Sequence, residues 1–436
     1  MIAVGAEALD VELRRKETPG VEVVTHLNNA GAALMPTPVV DAMMEHLELE
    51  AQRGGYEAAE MREEALHLPY VAAAKILGCE PGDIAITDSA TRAWSLAFYS
   101  IPFQPGDRIL ASSVEYGSNY LSLLHVARRA RASVEVLPND EFGRVDVAAL
   151  RAMLDDRVKA VVMTHVPSHS GIVNPIVEIG AAVRETGALY LVDACQSIGH
   201  LPIDVKEVGC DFLSACGRKY LRGPRGTGLL YMSPRAAESV DPLMVGLDGA
   251  RWLGGSHYTI APGAKRFETW EVNAVARVGL GAALNYALET GVEATWARTA
   301  ELGRFLRREL HAIPGVELLE RVDDEGELAG IVGFTVNGHE PEEIRQAMRR
   351  FDVNLWVSMS NTACVDMEAR KLEQTLRASV HYYNTHAEIQ QLSSALGDFL
   401  GDKHTSRAEK RRGHNPDKSD EIVAANRRPV EAGTYS

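Results

Sequence analysis

The first half of the chain alternates between short apolar runs and longer segments with apolar residues at helical spacing. Residues 36–51, for example, repeat their apolar positions at helical spacing. Short runs rich in β-branched residues, typical of strands buried on both faces, recur between such segments. Strand–helix alternation of this kind predicts an α/β fold, with a mainly parallel sheet between layers of helices. The predicted strands are Ile84–Thr87, Arg108–Ala111, Ser133–Leu137, Ala160–Thr164 and Leu189–Asp193.

A different arrangement is predicted for the C-terminal part. A long helix near 279–284 leads into a segment with a strand at 330–336, a helix at 340–350 and a second strand at 353–357. These elements predict a smaller C-terminal α+β domain. We therefore expect four parts: an N-terminal arm (1–20), a large domain (21–289), a small domain (290–402) and a polar, basic, mobile tail (403–436).

Composition narrows the class of protein. The chain has 436 residues, 46% hydrophobic and 24% charged, as in a soluble protein of about two domains. Its net charge of −15 argues against nucleic acid or an anionic membrane as a partner. Neither a signal peptide nor a membrane span is predicted, and five cysteines without a spaced framework fit a reducing cytoplasm. Without a CxxC or HExxH pattern, no metal site is predicted.

One carboxylate and one amine stand out as candidate chemistry. Asp193 ends the apolar run 188–192, and Lys219 follows the next short run, 210–214. In open α/β sheets the carboxyl ends of the strands are where ligands bind. A lysine and an aspartate placed this way suit pyridoxal phosphate (PLP), because the amine can bind the cofactor covalently and the carboxylate can keep its ring nitrogen protonated.

A turn that could bind an anion precedes them in the chain. The segment 87–92 follows a predicted strand and opens a helix, where backbone N–H groups and hydroxyls favour a phosphate. Taken alone, it could equally be a helix cap formed by Asp88 or Ser89.

Together with the C-terminal stretch Leu376–Thr385, these motifs resemble the class V aminotransferase family of fold-type I PLP enzymes. The resemblance covers about residues 27–400 and is nearest to the cysteine desulfurase, isopenicillin-epimerase-like and hercynylcysteine sulfoxide lyase group. It implies a PLP cofactor, a seven-stranded type of sheet in the large domain, and a homodimer with composite active sites. The catalytic residues it implies are Lys219 and Asp193.

The resemblance also implies a set of cofactor contacts, with two departures from the desulfurase pattern. Cys216-Gly217-Arg218-Lys219 replaces Ser-Gly-His-Lys, and Phe267-Glu268-Thr269-Trp270 replaces the Phe-Glu-Ala-Gly of Phe-Glu-Ala-Gly-Thr. Thr269 or the backbone of Trp270 is therefore the expected substitute donor to the phosphate of a neighbouring subunit's cofactor. The predicted cofactor-binding residues are Ser89, Ala90, Thr91, Tyr116, Ser168, Asp193, Gln196, Cys216, Arg218, Lys219 and Thr269.

On the substrate side, Arg377 occupies the position of the arginine that binds the α-carboxylate of an amino acid in the family. Asn29 in the entry segment and His169 in the loop before Asn174-Pro175 are further candidates for substrate contact. His169 could instead bond loop backbone, and Arg377 could form a structural ion pair.

The reaction itself stays open at this level. A C–S lyase acting on a cysteine conjugate or sulfoxide, of the ergothioneine-pathway type, is the first expectation, because the residues around Cys364 resemble that branch. The alternatives are a cysteine desulfurase or selenocysteine lyase that uses Cys364, an aminotransferase or epimerase, and a non-catalytic binding protein.

Overall fold

The computed structural model describes residues 9–321 and 327–412. Its largest sheet has seven strands in the order β2-β8-β7-β6-β5-β3-β4, and a second sheet of four strands has the order β11-β12-β15-β14. Two short pairs, β1 with β13 and β9 with β10, complete the strands of this part of the chain. The strands are β1 (Thr25–His26), β2 (Ile84–Thr87), β3 (Arg108–Ala111), β4 (Ser133–Val136), β5 (Val158–Thr164), β6 (Leu189–Asp193), β7 (Phe212–Cys216), β8 (Gly228–Met232), β9 (Ala250–Gly254), β10 (His257–Ile260), β11 (Val316–Leu318), β12 (Ile331–Val336), β13 (Val353–Asn354), β14 (Trp356–Met359) and β15 (Gln374–Ser379).

Helices connect and cover the strands, and short 3₁₀ turns lie at Pro19–Glu22, Pro81–Asp83, Gly263–Phe267, Arg349–Phe351 and Ser360–Thr362. The α-helices are α1 (Val11–Lys16), α2 (Thr37–Arg53), α3 (Gly55–Met61), α4 (Glu63–Leu77), α5 (Ala90–Tyr99), α6 (Gly117–Ala130), α7 (Val147–Met153), α8 (Ile176–Arg184), α9 (Val205–Val208), α10 (Pro234–Ser239), α11 (Ala274–Thr290), α12 (Val292–His311), α13 (Pro341–Met348), α14 (Cys364–Ala369) and α15 (His386–Arg412).

The seven-stranded sheet has an apolar core on each face. Successive residues of β6 enter opposite cores: Tyr190 and Val192 pack on one side, Leu189 and Leu191 on the other. Both faces are covered because alternate side chains of a strand point to opposite sides. The predicted α/β class and its mainly parallel sheet are confirmed, and the single antiparallel strand β8 pairs with β7 and β2.

The four-stranded sheet is antiparallel and has its own core with α12, α13 and α15. Parallel pairing of β1 with β13 brings the chain entering at Thr25 beside this sheet, so Leu27 joins its core. The domain boundaries remain predictions. The one at 289/290 lies beside Gly291, which separates α11 from α12 with a positive φ of 84°.

The C-terminal helix α15 runs to Arg412, into the segment that the sequence predicts to be a mobile tail. Residues 413–436 of that predicted tail lie outside the described residues. Within the described part of the chain, no helix combines the length and the apolar character needed to cross a membrane.

Candidate active site

The carboxyl ends of β5, β6 and β7 meet at one edge of the large sheet. Thr164 at the end of β5 is paired with Asp193 at the end of β6, which in turn is paired with Ser214 in β7. Three residues after β7, a turn closed by a hydrogen bond from the Arg222 N–H to the Lys219 carbonyl (2.9 Å) carries the lysine. Asp193 and Lys219 are both buried and line the same recess.

This recess brings together most of the residues predicted to bind the cofactor. The space between its walls, including the solvent at its mouth, is about 670 Å³. The predicted residues that line it are Ser89, Ala90, Thr91, Tyr116, Ser168, Asp193, Gln196, Cys216, Arg218 and Lys219. The sequence reasoning missed further lining residues, namely Asp88, Asn119, Thr164, Val166, Cys195, Gly226 and Thr227.

Asp193 is held in place by two donors. Its Oδ2 accepts a hydrogen bond from Asn119 Nδ2 at 2.7 Å, and its Oδ1 accepts one from the Cys195 N–H at 2.8 Å. Asn119 lies three residues after Tyr116, and residues so spaced face the same side of a helix start. The spacing within 115–119 was a signal that could have identified Asn119.

The opposite end of the recess is built for an anion. Ser89 caps α5, where its Oγ accepts a hydrogen bond from the Arg92 N–H at 3.2 Å. Gly228 lets β8 approach this turn, because a Cβ there would come within 2.4 Å of the Ser89 carbonyl carbon. Within the described part of the chain, the half-buried Arg218 forms no ion pair, so its charge is available to a phosphate.

The residues of the recess therefore fit PLP. The start of α5 with Arg218 would hold the phosphate, Asp193 would hold the proton of the ring nitrogen, and Lys219 would bind the aldehyde carbon. Gln196 supports this fit, since its Nε2 donates to the Ala30 carbonyl at 3.1 Å while its buried Oε1 has no partner among the described residues.

A second carboxylate, Glu115, is buried behind Asp193. Its Oε1 accepts hydrogen bonds from Ser112 Oγ (2.6 Å) and the Thr164 N–H (2.7 Å), and its Oε2 accepts one from Thr164 Oγ1 (2.8 Å). The pKa of Glu115 is raised to about 7, chiefly by burial and also by the neighbouring Asp193, against the lowering effect of its hydrogen-bond donors. Glu115 thus joins the loop before α6 to the end of β5.

Arg377 of β15, in the smaller sheet, contacts the Ser168 that lines the recess. Its Nη1 donates to the carbonyl of Ser168 at 2.6 Å and its Nη2 to Asn28 Oδ1 at 2.8 Å. Its buried Nε has no partner among the described residues, and burial lowers the pKa of Arg377 to about 10. A guanidinium that lacks an anionic partner in a buried place suits a substrate carboxylate.

Asn29 and His169 lie outside the recess, and their predicted contacts with a substrate remain predictions. The Asn29 amide donates to the Ser379 carbonyl at 2.8 Å and its Oδ1 accepts from Tyr383, so Asn28 is the residue of this pair that contacts Arg377. His169 is buried and its Nε2 lies 2.8 Å from Asp366 Oδ2, so it connects its loop to α14. Neither side chain lines the recess.

Thr269 also lies outside the recess. It is exposed, and its Oγ1 donates to the Glu271 carbonyl at 3.3 Å. It lines a neighbouring cavity together with Asp88, Gly226 and Thr227, which also line the recess. The predicted contact of Thr269 with a neighbouring subunit's cofactor remains a prediction.

Cys364 is exposed at the first position of α14, beside the start of α6. The turn 360–362 packs so closely on α6 that a Cβ on Gly117 would come within 2.0 Å of the Asn361 carbonyl oxygen. Burial raises the pKa of Tyr120, and so does its interaction with Cys364, which places the thiol next to the second turn of α6. Tyr116, at the cap of the same helix, lines the recess.

Comparison with known proteins agrees with this geometry. Residues 25–392 match the profile of the family Aminotransferase class-V. A probable cysteine desulfurase of Methanothermobacter thermautotrophicus is 30% identical over 394 residues, which cover 89% of this chain and 97% of the relative. The apo cysteine desulfurase of Thermococcus onnurineus NA1 has the same fold, with a TM-score of 0.84, 24% identity and coverage of 91% of this chain and 99% of that one.

The structures of C-DES, a cystine C–S lyase, are also similar. A lysine-to-alanine mutant of C-DES with glycine covalently linked to its PLP cofactor has a TM-score of 0.79 and 25% identity, covering 88% of this chain and 99% of that one. Its complex with the product cysteine persulfide has a TM-score of 0.78 at 25% identity, covering 87% of this chain and 99% of that one.

The fold and the site define a fold-type I PLP enzyme. The chain belongs to the class V aminotransferase family, within its cysteine desulfurase-like group. The resemblance deduced from the sequence, and the PLP cofactor that it implies, are confirmed.

Proposed function

We propose that this protein is a PLP-dependent enzyme that cleaves the C–S bond of cysteine or a closely related amino acid, with cysteine desulfuration as its main reaction. The observation that carries the proposal is the convergence of Asp193, Lys219 and Arg377. The first two line one recess, and Arg377 donates to the carbonyl of Ser168, which lines the same recess. The sequence favoured an ergothioneine-type lyase, but the similar relatives are named cysteine desulfurases, which favours the desulfurase alternative.

Each of these residues has a distinct task. PLP, when bound, supplies an electron sink conjugated to the Cα of the amino acid. Arg377 binds the α-carboxylate through its free N–H groups and thereby orients the substrate. The Lys219 amine takes the Cα proton and returns protons to the product, and Asp193 holds a proton at the ring nitrogen.

The desulfurase route requires a thiol that accepts sulfur, and Cys364 is the proposed acceptor. Its thiolate forms an S–S bond with the substrate sulfur while the Cβ–S bond breaks. The Cβ then receives a proton, so that cysteine and one enzyme thiol give alanine and one enzyme persulfide. Cys364 is the exposed cysteine of the part that the structure describes, and its helix start packs beside the recess.

A second candidate is a C–S lyase that does not use an enzyme thiol. It is favoured by the way α14 is anchored. The Asp366 N–H donates to the Ser113 carbonyl at 3.1 Å, and its carboxylate binds His169 and Arg370, each at 2.8 Å. A thiol on so fixed a helical turn has little freedom to reach different positions above the recess. In this case elimination releases the sulfur as sulfide from cysteine or as a persulfide from cystine, and water hydrolyses the remaining product to pyruvate and ammonia.

The test compares wild type with Cys364→Ser, both loaded with PLP, on L-cysteine and on L-cystine, and measures alanine, pyruvate and sulfide. We expect alanine and sulfide from wild type in the presence of a reductant, a persulfide on Cys364 in its absence, and loss of both in Cys364→Ser. Cys79→Ser serves as the thiol control, since Cys79 packs against the core at the far side of the sheet.

Pyruvate and ammonia formed at the same rate by wild type and Cys364→Ser would replace the desulfurase proposal by the lyase. Turnover of neither substrate, with PLP bound, would reject both.

We also propose that the protein is a homodimer whose subunits complete each other's sites. The cavity that contains Thr269 adjoins the recess through residues common to both. Around it, large apolar side chains are exposed, as expected of a surface that a second subunit covers. These are Leu243, Met244, Val245, Leu247, Trp252, Trp270 and Val272. Sedimentation velocity of the wild type and of Trp270→Glu tests it, since a dimer should dissociate in the variant.

A further inference from the structure

Two cysteines lie side by side on the floor of the recess. Asp193 pairs with Ser214, and the Ala194 N–H donates to the Ser214 carbonyl at 2.9 Å, so Cys195 and Cys216 follow directly after paired segments. Cys216 Sγ lies 3.9 Å from the carbonyl oxygen of Cys195. Both residues line the recess.

The two thiols have opposite electrostatic surroundings. The hydrogen bond from Cys195 and the charges of Lys219 and Arg218 lower the pKa of Cys216, against the effect of its burial. The same hydrogen bond and burial raise the pKa of Cys195 well above that of an ordinary thiol. Of the two, Cys216 is therefore the sulfur that loses its proton more readily, and Cys195 is the one that retains it. Such an arrangement, in an electropositive and partly open recess, is typical of cysteines that react with oxidants.

Cys79 and Cys210 show what a packing cysteine looks like in the same molecule. Burial raises the pKa of the Cys79 thiol to about 12, and it raises that of Cys210 as well. Both lie in or against the apolar core on one face of the large sheet. The place of Cys195 and Cys216 in the recess separates them from these two cysteines.

The backbone allows a bond between the two sulfurs. The Ala194 N–H···Ser214 carbonyl bond holds the two segments together directly before Cys195, and the Cys216 sulfur reaches the Cys195 backbone; Cα atoms of a disulfide span about 4.4–6.8 Å. Cys195 follows the Asp193 that would hold the ring nitrogen, and Cys216 precedes the Arg218 that would hold the phosphate. A molecule held by both residues would cover the pair.

We propose that Cys195 and Cys216 form a redox-active dithiol, which a peroxide oxidises to a disulfide when the recess is empty and which bound PLP protects. The Cys216 thiolate attacks the O–O bond of the peroxide, forms a sulfenic acid and releases a hydroxide that leaves as water. The Cys195 sulfur then displaces the sulfenic hydroxyl, and its proton leaves with a second water. Two thiols and one hydrogen peroxide thus give one disulfide and two waters. The disulfide blocks cofactor uptake by tying the two strand ends together.

The experiment uses the full chain with Cys364→Ser, to remove the exposed thiol, and Cys210→Ser, because 207–218 is one tryptic peptide that also contains Cys210. Protein with and without PLP is treated with hydrogen peroxide, and free thiols, cross-linked peptides and PLP uptake are measured. Without PLP we expect loss of two free thiols, a disulfide between peptides 185–206 and 207–218, and loss of PLP uptake. A reductant should restore all three.

With PLP bound, the same treatment should leave both thiols free. Adding Cys216→Ser should abolish the cross-link while the circular dichroism spectrum shows a folded protein. The proposal is overturned by a cross-link that forms equally fast with PLP bound, by the absence of a cross-link in the empty protein, or by full PLP uptake after oxidation.

Discussion

Two parts of the site differ in how fully their polar atoms are hydrogen-bonded. The floor is the strand end with Asp193 and the Glu115 behind it, and the wall is the side at Ser168 that Arg377 contacts. On the floor, Asp193 and Glu115 accept hydrogen bonds on all four carboxyl oxygens from neighbouring protein groups. On the wall, Arg377 comes from the other sheet and retains a buried N–H without a partner in the described part of the chain. The carboxylates of the floor are fully hydrogen-bonded before a ligand arrives, whereas the guanidinium of the wall still has a donor without an acceptor.

This difference assigns the two regions to different stages of the reaction. Groups fixed by the ends of parallel strands cost little reorganisation when the cofactor binds, which is what cofactor chemistry requires. A guanidinium that lacks an anionic partner gains most when a carboxylate enters, which is the reason for proposing Arg377 as the group that binds the substrate. Three substitutions test this division.

The largest effect is expected for Lys219→Ala on the floor. Removing the amine eliminates proton transfer at Cα, and general acid–base groups contribute about 10²–10⁴-fold to rates. Turnover of cysteine should fall by at least that factor, and borohydride should no longer fix PLP to the protein. Lys206→Ala, at an exposed position, is the control. Retention of full turnover in Lys219→Ala would remove the basis of the proposed function.

A smaller effect, and of another kind, is expected for Arg377→Lys on the wall. Lysine keeps the charge but cannot form two parallel hydrogen bonds with a carboxylate. We expect KM for the amino acid to rise about 10²-fold while the PLP content stays the same. Arg349→Lys, exposed on the small domain, should leave KM unchanged. A loss of PLP without a change in KM would place Arg377 on the cofactor side and abolish the distinction between floor and wall.

The smallest effect is expected for Glu115→Gln, and it appears in the pH dependence of stability. Because the pKa of Glu115 is raised to about 7 in the folded protein, the folded state holds this proton after the unfolded state has released it, from about pH 4.3 upward. Below about pH 4.3 the raised pKa of Glu115 does not affect the free energy of unfolding. As the pH rises from there towards 7 the free energy of unfolding falls, and above about pH 7 this effect is constant.

Urea denaturation at about pH 5 and about pH 8 measures this change, and wild type should lose about 1–3 kcal/mol more than Glu115→Gln between them. Glu268 has a pKa raised to about 7 by burial as well, so the variant should retain part of the pH dependence. Exposed Glu238→Gln is the control. Equal pH dependence in wild type and Glu115→Gln would show that Glu115 keeps an ordinary pKa.

Local sequence patterns were sufficient to predict the strands of the large sheet that are short apolar runs. Strands β2, β3 and β6 have the predicted bounds, because short apolar runs buried on both faces leave a strong signal. Strand β8 was not predicted, since its antiparallel pairing with β7 depends on a loop that the periodicity does not describe. The predicted strand at 353–357 is instead divided between β13 and β14, which join different partners.

Site residues could be predicted where they belong to a recognisable motif. They were missed where their role depends on contacts with residues that are distant in the sequence. Asn119 and Glu115 lie next to Tyr116 in the chain, yet their roles depend on Asp193 and Thr164, which are far away in sequence. In the pair Asn28 and Asn29, only the structure shows which side chain contacts Arg377.

By itself, the sequence determined the fold class and the family and predicted Asp193 and Lys219 as the residues of the chemistry, because hydrophobic periodicity and residue type at strand ends are local properties. Only the tertiary structure decided that Cys216 contacts the Cys195 backbone, that His169 bonds Asp366 of α14, and that one buried N–H of Arg377 has no partner in the described part of the chain. Those facts depend on which strand ends lie next to each other and on how two sheets face one recess, and no short stretch of the chain contains that information.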